Sequence, residues 1–231
     1  MLRTALALAD RAGLEALSMR KLAEELGVGA MSLYHHVPGK DELLGALVDL
    51  VFAEIELPTA DVEWRTAMRR RARSTRDVLN RHRWAVGLLE SRLTPGPASL
   101  RLHDAVLGCL RAAGFSVELA IHAYSVQDAY IYGFALQEKS LPFETADESA
   151  AVAREQVREF GELAEGRQFA TLAEEFPHIA EVVGGHVALV GYDFSTAFDD
   201  GLDLILDALE ARRVSLAGKR GQKRPASGPF R

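Results

Sequence analysis

A single cysteine leaves no partner for an internal disulfide, which suits a reducing compartment. That residue, Cys109, sits in the apolar run Val106-Leu107-Gly108-Cys109-Leu110 and reads as a small core side chain rather than a reactive thiol. No apolar stretch reaches the roughly 18 residues that span a bilayer, so no membrane partner is expected. The opening Met1-Leu2-Arg3-Thr4 lacks the charged, apolar and cleavage regions of a secretory leader, and a cytoplasmic location is the expectation. Positive charge is also scarce. The net charge of −6 excludes a bulk electrostatic coat for nucleic acid, and residues 1–57 carry five Lys/Arg against nine Asp/Glu. Any grip on DNA must come from a few placed groups.

Chemistry is missing as well. No nucleophile stands beside a base, no Gly-rich loop could cradle phosphate, and no His/Cys/carboxylate spacing suits a metal. His103 and Asp104 are adjacent, so on a helix they point about 100° apart and form no dyad. The chain is therefore read as a non-enzyme with no cofactor and no metal. A helical enzyme, or a protein that binds DNA without sequence preference, is the alternative reading.

What is present is helix after helix. Ala, Leu, Glu and Arg dominate, period-two alternation is absent, and Gly and Pro fall mostly between periodic segments. The fold class is all-α. The spacing predicts helices over about 2–12 (Gly13 beyond its end), from Ser18 as N-cap to about 26, 30–36, and from Lys40 to the neighbourhood of Pro58. Further helices are expected from about 61, over 100–113, 117–139, 150–165 and 193–213. The stretch 144–149 reads as loose, and 215–231 as a basic disordered tail.

The informative segment is Leu17 to Val37. Two short helices crossing steeply need a small residue where they touch, and Ala23 supplies it. The tight turn needs positive φ, met by Gly27, and the second helix needs an inward apolar residue, met by Leu33. This is the skeleton of a helix-turn-helix. With Leu33 inward, Met31 and His35 point away, Ser32 and Tyr34 flank them, and Ala30, His36 and Val37 turn toward the core. The outward ridge is poor in charge but rich in groups that reach base edges and phosphates. The two histidines have no further ligands at metal spacing.

Leu33-Tyr34-His35-His36-Val37, followed by Lys40-Asp41-Glu42-Leu43-Leu44, resembles the end of the DNA-binding domain of the tetracycline-repressor (TetR) family. The resemblance implies phosphate contacts from Ser32, Tyr34 and Lys40, and a guanine contact from Arg20, bidentate Arg–guanine pairing being the commonest specific contact. Ala30, Met31 and His35 complete the DNA-contact candidates. Beyond residue 58, Ala112-Ala113-Gly114-Phe115-Ser116, Tyr130-Ile131-Tyr132-Gly133-Phe134, Phe176-Pro177-His178 and the Phe194/Phe198 stretch are similar to the C-terminal domain of the family's tetracycline-repressor-like members. The implied organisation is a three-helix reader at 1–57 and a helical bundle at 58–214 that binds a small-molecule effector and forms a homodimer on double-stranded operator DNA.

Phe194, Phe198, Leu202, Ile205 and Leu209 share one stripe and are the expected dimer face, burial in the chain's own bundle being the other reading of that stripe. The effector-pocket candidates are Trp64, Trp84, His103, Tyr124, Gln127, Asp128, Ile131 and Phe134, an apolar lining with a few polar groups; each could equally be plain core. Family members that bind a tetracycline–magnesium chelate use a histidine in a loop matching Leu88–Leu93; none stands here, so that chelate is not the expected effector.

Overall fold

In a computed structural model that describes residues 1–88, 95–162 and 174–222, helices account for every regular element, and no strand occurs among the described residues. The first helix, α1 (Leu2–Ala16), is interrupted at Gly13, whose backbone turns to φ 76°, ψ 170° before a last short stretch. Ser18 caps α2 (Met19–Leu26) by accepting the Lys21 amide at 3.2 Å, and Gly27 ends it in the left-handed region at φ 66°. A substitution there would force a Cβ into a conformation that L-residues avoid.

The next helix, α3 (Ala30–Tyr34), is shorter than its pattern predicts. Its successor α4 (Lys40–Ala53) carries Asp41 and Glu42 in the first turn, where they suit the dipole, and stops several residues short of Pro58. Ala5, Leu8, Leu17, Leu22, Ala23, Leu33, Leu43 and Leu47 close the core of this region, as the small–glycine–apolar skeleton requires.

Glu63 caps α5 (Trp64–Arg81), its carboxylate accepting the amides of Arg65 and Thr66 at 3.0 and 2.9 Å. A 3-10 turn at Ala85–Gly87 follows, then α6 (Pro97–Ala112) and α7 (Val117–Ser140), the latter opened by the Ser116 hydroxyl accepting the Leu119 amide at 3.2 Å.

Compactness does not divide the chain at 57/58. Residues 1–139 form one unit together with the helix from Ile205 onward, and Ser140–Leu204 form another. Within the first unit the expected boundary is crossed by real bonds. His82, beyond the end of α5, sets one ring nitrogen 2.8 Å from Asp10 of α1 and the other 3.2 Å from Glu54 at the end of α4. The Trp84 indole donates to the same Asp10 oxygen at 2.7 Å.

A further bond joins α4 to α6. The N-cap position of α6, Gly96, has no side chain to accept the first-turn amides, and Asp49 of α4 does so instead, taking those of Ala98 at 2.9 Å and Ser99 at 3.1 Å. A Cβ at position 96 would overlap that carboxylate, so glycine is what lets α4 approach. Asp49→Ala is expected to cost about 1–2 kcal/mol, and Asp49→Asn clearly less because its amide oxygen still accepts. Thermal melts of the two variants check this.

The second unit contains a helix start that the sequence reading places too late. Thr145 and Glu148 make a reciprocal capping box: Glu148 accepts the Thr145 amide at 3.3 Å while its own amide donates to the Thr145 hydroxyl at 3.2 Å. Accordingly α8 (Ala146–Glu162) begins inside the stretch expected to be loose. Its described length ends at 162, and 163–165 of the expected helix lie outside the described residues.

Then come α9 (Pro177–Val182), a π turn at Val183–Val187, α10 (Ala188–Val190) and the start of α11 (Phe194–Gln222). Arg154 of α8 donates to the Ala188 carbonyl at 2.9 Å, and the Ser149 hydroxyl accepts the Tyr192 amide at 2.6 Å.

Two expectations about α11 need correction. Phe194, Phe198, Leu202 and Leu209 are buried within the single chain, and the stripe runs on through Leu206 with Ile205 half-buried. They are the chain's own core and not a free face. The helix also continues to Gln222, so Ser215–Gln222 are ordered helix where a disordered tail was expected; 223–231 lie outside the described residues.

Candidate functional site

The helix-turn-helix presents its expected ridge. Gly27 sets the angle between α2 and α3, and Leu33, 3% exposed, pins α3 to the core. That leaves Met31 (76% exposed), Ser32, Tyr34 and His35 on the outside, with Ala30 half-buried beside them. Arg20 on α2 has a side chain 88% exposed and only a loose 3.8 Å approach to Glu24 to restrain it. Exposed pairs of this kind contribute little, so the guanidinium is available to another acceptor. Lys40 is exposed, and its ammonium reaches the Leu14 carbonyl at 3.4 Å, a long bond that a phosphate oxygen could replace. His36 departs from expectation: it is exposed. Since α3 ends at Tyr34 with His35 as its C-cap, the helical phase used to aim His36 inward no longer applies.

A second set of polar groups lies deep in the core. The inward stripe of α5 runs Trp64, Ala67, Met68, Arg71, Ala72, Thr75, Val78 and Leu79, so Arg71 falls among apolar neighbours and is fully buried. Its Nη2 forms an ion pair with Asp128 of α7, which also accepts from the Tyr132 hydroxyl at 3.4 Å. The guanidinium carbon lies 5.9 Å from the centre of the Tyr124 ring, which meets His103 edge-on at 5.1 Å.

Burial, reinforced by the negative charge of Asp128 and the hydrogen bond to it, raises the Tyr124 phenol well above its ordinary value, so it stays neutral. Burial likewise holds His103 below its usual value; Asp128 opposes this and Arg71 adds to it. Gln127 donates to the Ala123 carbonyl at 2.9 Å.

Of the eight pocket candidates, His103, Tyr124 and Asp128 gather around Arg71, which the sequence reading passed over. Ile131 is fully buried on the same helix. Phe134 instead lies under Arg76, with 5.5 Å between guanidinium carbon and ring centre, while Arg76 pairs with Glu138. Trp64 packs edge-on against Phe115 at 4.9 Å and lines a cleft of about 260 Å³ with Cys109 and Arg213. Trp84, bonded to Asp10, lines another of about 340 Å³ with Gly13, Arg81 and Lys139. Neither tryptophan belongs to the Arg71 cluster.

Comparison with known proteins decides what this pairing of parts is. Residues 57–213 match the family profile "Tetracyclin repressor-like, C-terminal domain", and residues 1–47 match "Bacterial regulatory proteins, tetR family". The chain belongs to the TetR family. This TetR-family protein is a helix-turn-helix transcriptional regulator and not an enzyme, and its partner is DNA.

Among its relatives is the HTH-type transcriptional repressor DrrR1 of Streptomyces coeruleorubidus, 35% identical over 97% of this chain and 80% of that one. Another is the class A tetracycline repressor of transposon 1721 from Escherichia coli, 30% identical over 97% of this chain and 95% of the relative. The solved structure of Streptomyces coelicolor ActR in complex with actinorhodin is 29% identical, with a TM-score of 0.72, and covers 92% of this chain and 95% of its own. ActR with (S)-DNPA gives a TM-score of 0.70, 29% identity, and coverage of 92% and 96%. No described helix of this TetR-family protein is long and apolar enough to cross a membrane.

Proposed function

We propose that this protein is a cytoplasmic repressor that binds a palindromic operator as a homodimer and leaves it when an effector occupies the bundle. The observation that carries the reading is the outward ridge Met31-Ser32-Tyr34-His35, held by Leu33 and flanked by an exposed Arg20. Such a ridge fits a major groove, and two copies at one helical turn read an inverted repeat. Relief follows if the effector favours a bundle conformation in which α4, tied to α6 through Asp49, shifts the two ridges. A differential affinity on the order of 1–3 kcal/mol is sufficient.

Selection of bound duplexes from a random pool tests the reading, with enrichment of an inverted repeat as the expected result. Tyr34→Ala and Lys40→Ala are expected to weaken binding to all sequences alike, the lysine variant also with a flatter salt dependence. Arg20→Ala is expected to relax preference at one base pair per half-site, worth about 1–3 kcal/mol of discrimination. A pool that emerges without enrichment would refute sequence-specific reading.

The homodimer is supported by what the bundle leaves uncovered. Leu204 on α11 is 73% exposed, and Val117 and Ile121 lie one turn apart on the outside of α7. Leu204→Asp is expected to shift the protein to monomers in sedimentation, where a surviving dimer would move the interface elsewhere. Tetracycline–magnesium is not the effector on this reading, because Leu88–Leu93 holds no histidine; of that segment, 89–93 lie outside the described residues.

A further inference from the structure

The cleft beside Trp84 holds about 340 Å³, enough for a small organic molecule, and shares no residue with the ridge or the Arg71 cluster. Asp10 and Leu14 of α1 line it, with Arg81 and Trp84 from the end of α5 and the turn beyond, Arg83 between them, and Lys139 of α7. All of these residues belong to one compact unit. The cleft therefore lies where the first helix of the reader meets the ends of two bundle helices.

Its charge is unusual for this chain. Three cationic side chains and one carboxylate line the cleft, in a protein whose net charge is −6. The carboxylate is already engaged: one Asp10 oxygen accepts from the Trp84 indole at 2.7 Å and lies 2.8 Å from a His82 ring nitrogen. Arg81 is engaged as well, with Glu54 at 2.7 Å. Lys139 is exposed and pairs with no carboxylate among the described residues, so the surplus in the cleft is positive. An anion seated there gains charge-assisted hydrogen bonds that Lys139 does not otherwise make.

The rest of the lining is apolar. Leu14 is half-buried, and where α1 kinks, Gly13 adds no side chain; a Cβ there would meet nothing within 4 Å. An apolar body therefore finds both room and a surface to cover. Because Asp10 also faces the cleft, one negative charge suits it better than the two of a phosphate.

We infer that this cleft is a binding site for a small monocarboxylic acid with an apolar body. Lys139 and Arg83 hold the carboxylate, and Leu14 and the Trp84 indole cover the body. Bound there, the acid bridges α1 to the ends of α5 and α7 and adds to the bonds that Asp10 already makes with His82 and Trp84. The site needs neither operator nor an effector inside the bundle, so it stands or falls apart from the repressor reading.

The test uses the full-length protein in a ligand-observed NMR titration, with phenylacetate as the probe and phenylacetamide, similar in shape but uncharged, as its comparison. Phenylacetate is expected to bind about tenfold more tightly at low salt, the margin of one charge-assisted hydrogen bond. That margin is expected to shrink in about 1 M salt, where screening acts within about 3 Å. Lys139→Gln and Arg83→Gln exchange exposed side chains, and each is expected to lose most of the margin. Arg101→Gln, which removes an exposed charge of α6 outside the cleft, is expected to keep it. Saturating phenylacetate is also expected to slow amide exchange over residues 5–14 of α1.

The inference is overturned if the two compounds bind alike, if neither binds, or if Lys139→Gln or Arg83→Gln keeps the wild-type margin. An equal loss in all three variants would overturn it too, by showing that only overall charge matters. So would binding that leaves exchange in α1 unchanged, since the acid would then not bridge the helices.

Discussion

Arg71→Met is expected to destabilise the protein by about 3–5 kcal/mol, because it strands the Asp128 carboxylate in the core without its cation. The Tyr132 and Tyr124 hydroxyls that also reach Asp128 soften this only in part, since a neutral donor does not replace a full positive charge. Removing both charges reverses the outcome. Arg71→Met/Asp128→Leu is expected to lie within about 1–2 kcal/mol of the wild type, since similar-volume apolar replacement of a buried pair is often neutral or better. Urea midpoints of the two variants decide the matter. A single variant as stable as the wild type would mean that Asp128 is protonated or solvated in the folded protein, and that the pair is not structural.

The other large effect belongs to the reader. Leu33→Ala should cost about 2–5 kcal/mol, the range for emptying a buried leucine site. The loss falls on α3, which has only five residues and no side-chain cap, and so has little stability of its own. Operator binding is therefore expected to vanish at temperatures where the bundle is still folded. Amide exchange should show protection lost over Ala30–Tyr34 while α5 and α7 keep theirs. Uniform loss across all helices would mean instead that the reader and the bundle melt as one unit, which the bonds from Asp49 and His82 make a real alternative outcome.

The parts legible in the sequence are those whose cause is local. Ser18, Gly27, Ala23 and Leu33 behave as their chemistry demands, because a cap, a left-handed turn and a helix crossing each depend on one or two residues. The exposed ridge followed from Leu33 and a constant angle per residue, and the same arithmetic failed at His36 once the helix had ended. In α11 the expected stripe took Ile205 where the core takes Leu206, since the direction of a long stripe drifts and only the packing fixes which neighbour faces in.

Thr145-x-x-Glu148 has the pattern of a capping box but stands among residues of loop-like composition, and the sequence reading missed it. Arg71 could have been found. It sits on the apolar stripe of α5, three residues after Met68 and four before Thr75, but the surrounding arginines disguised it as part of a solvated face. Its bond to Asp128 joins residues 57 apart, and no local pattern encodes that.

The carboxylate of Asp49 has a practical meaning for anyone building hybrid regulators. A junction near residue 57 looks clean on paper, between a portable reader and a portable receptor. Yet the receptor's sixth helix lacks an acceptor of its own at Gly96 and borrows one from the reader. Fitting a foreign reader without an oxygen-bearing side chain at that place would leave the graft with bare amides at the start of α6, so compatibility between donor and recipient is written at two positions 47 residues apart.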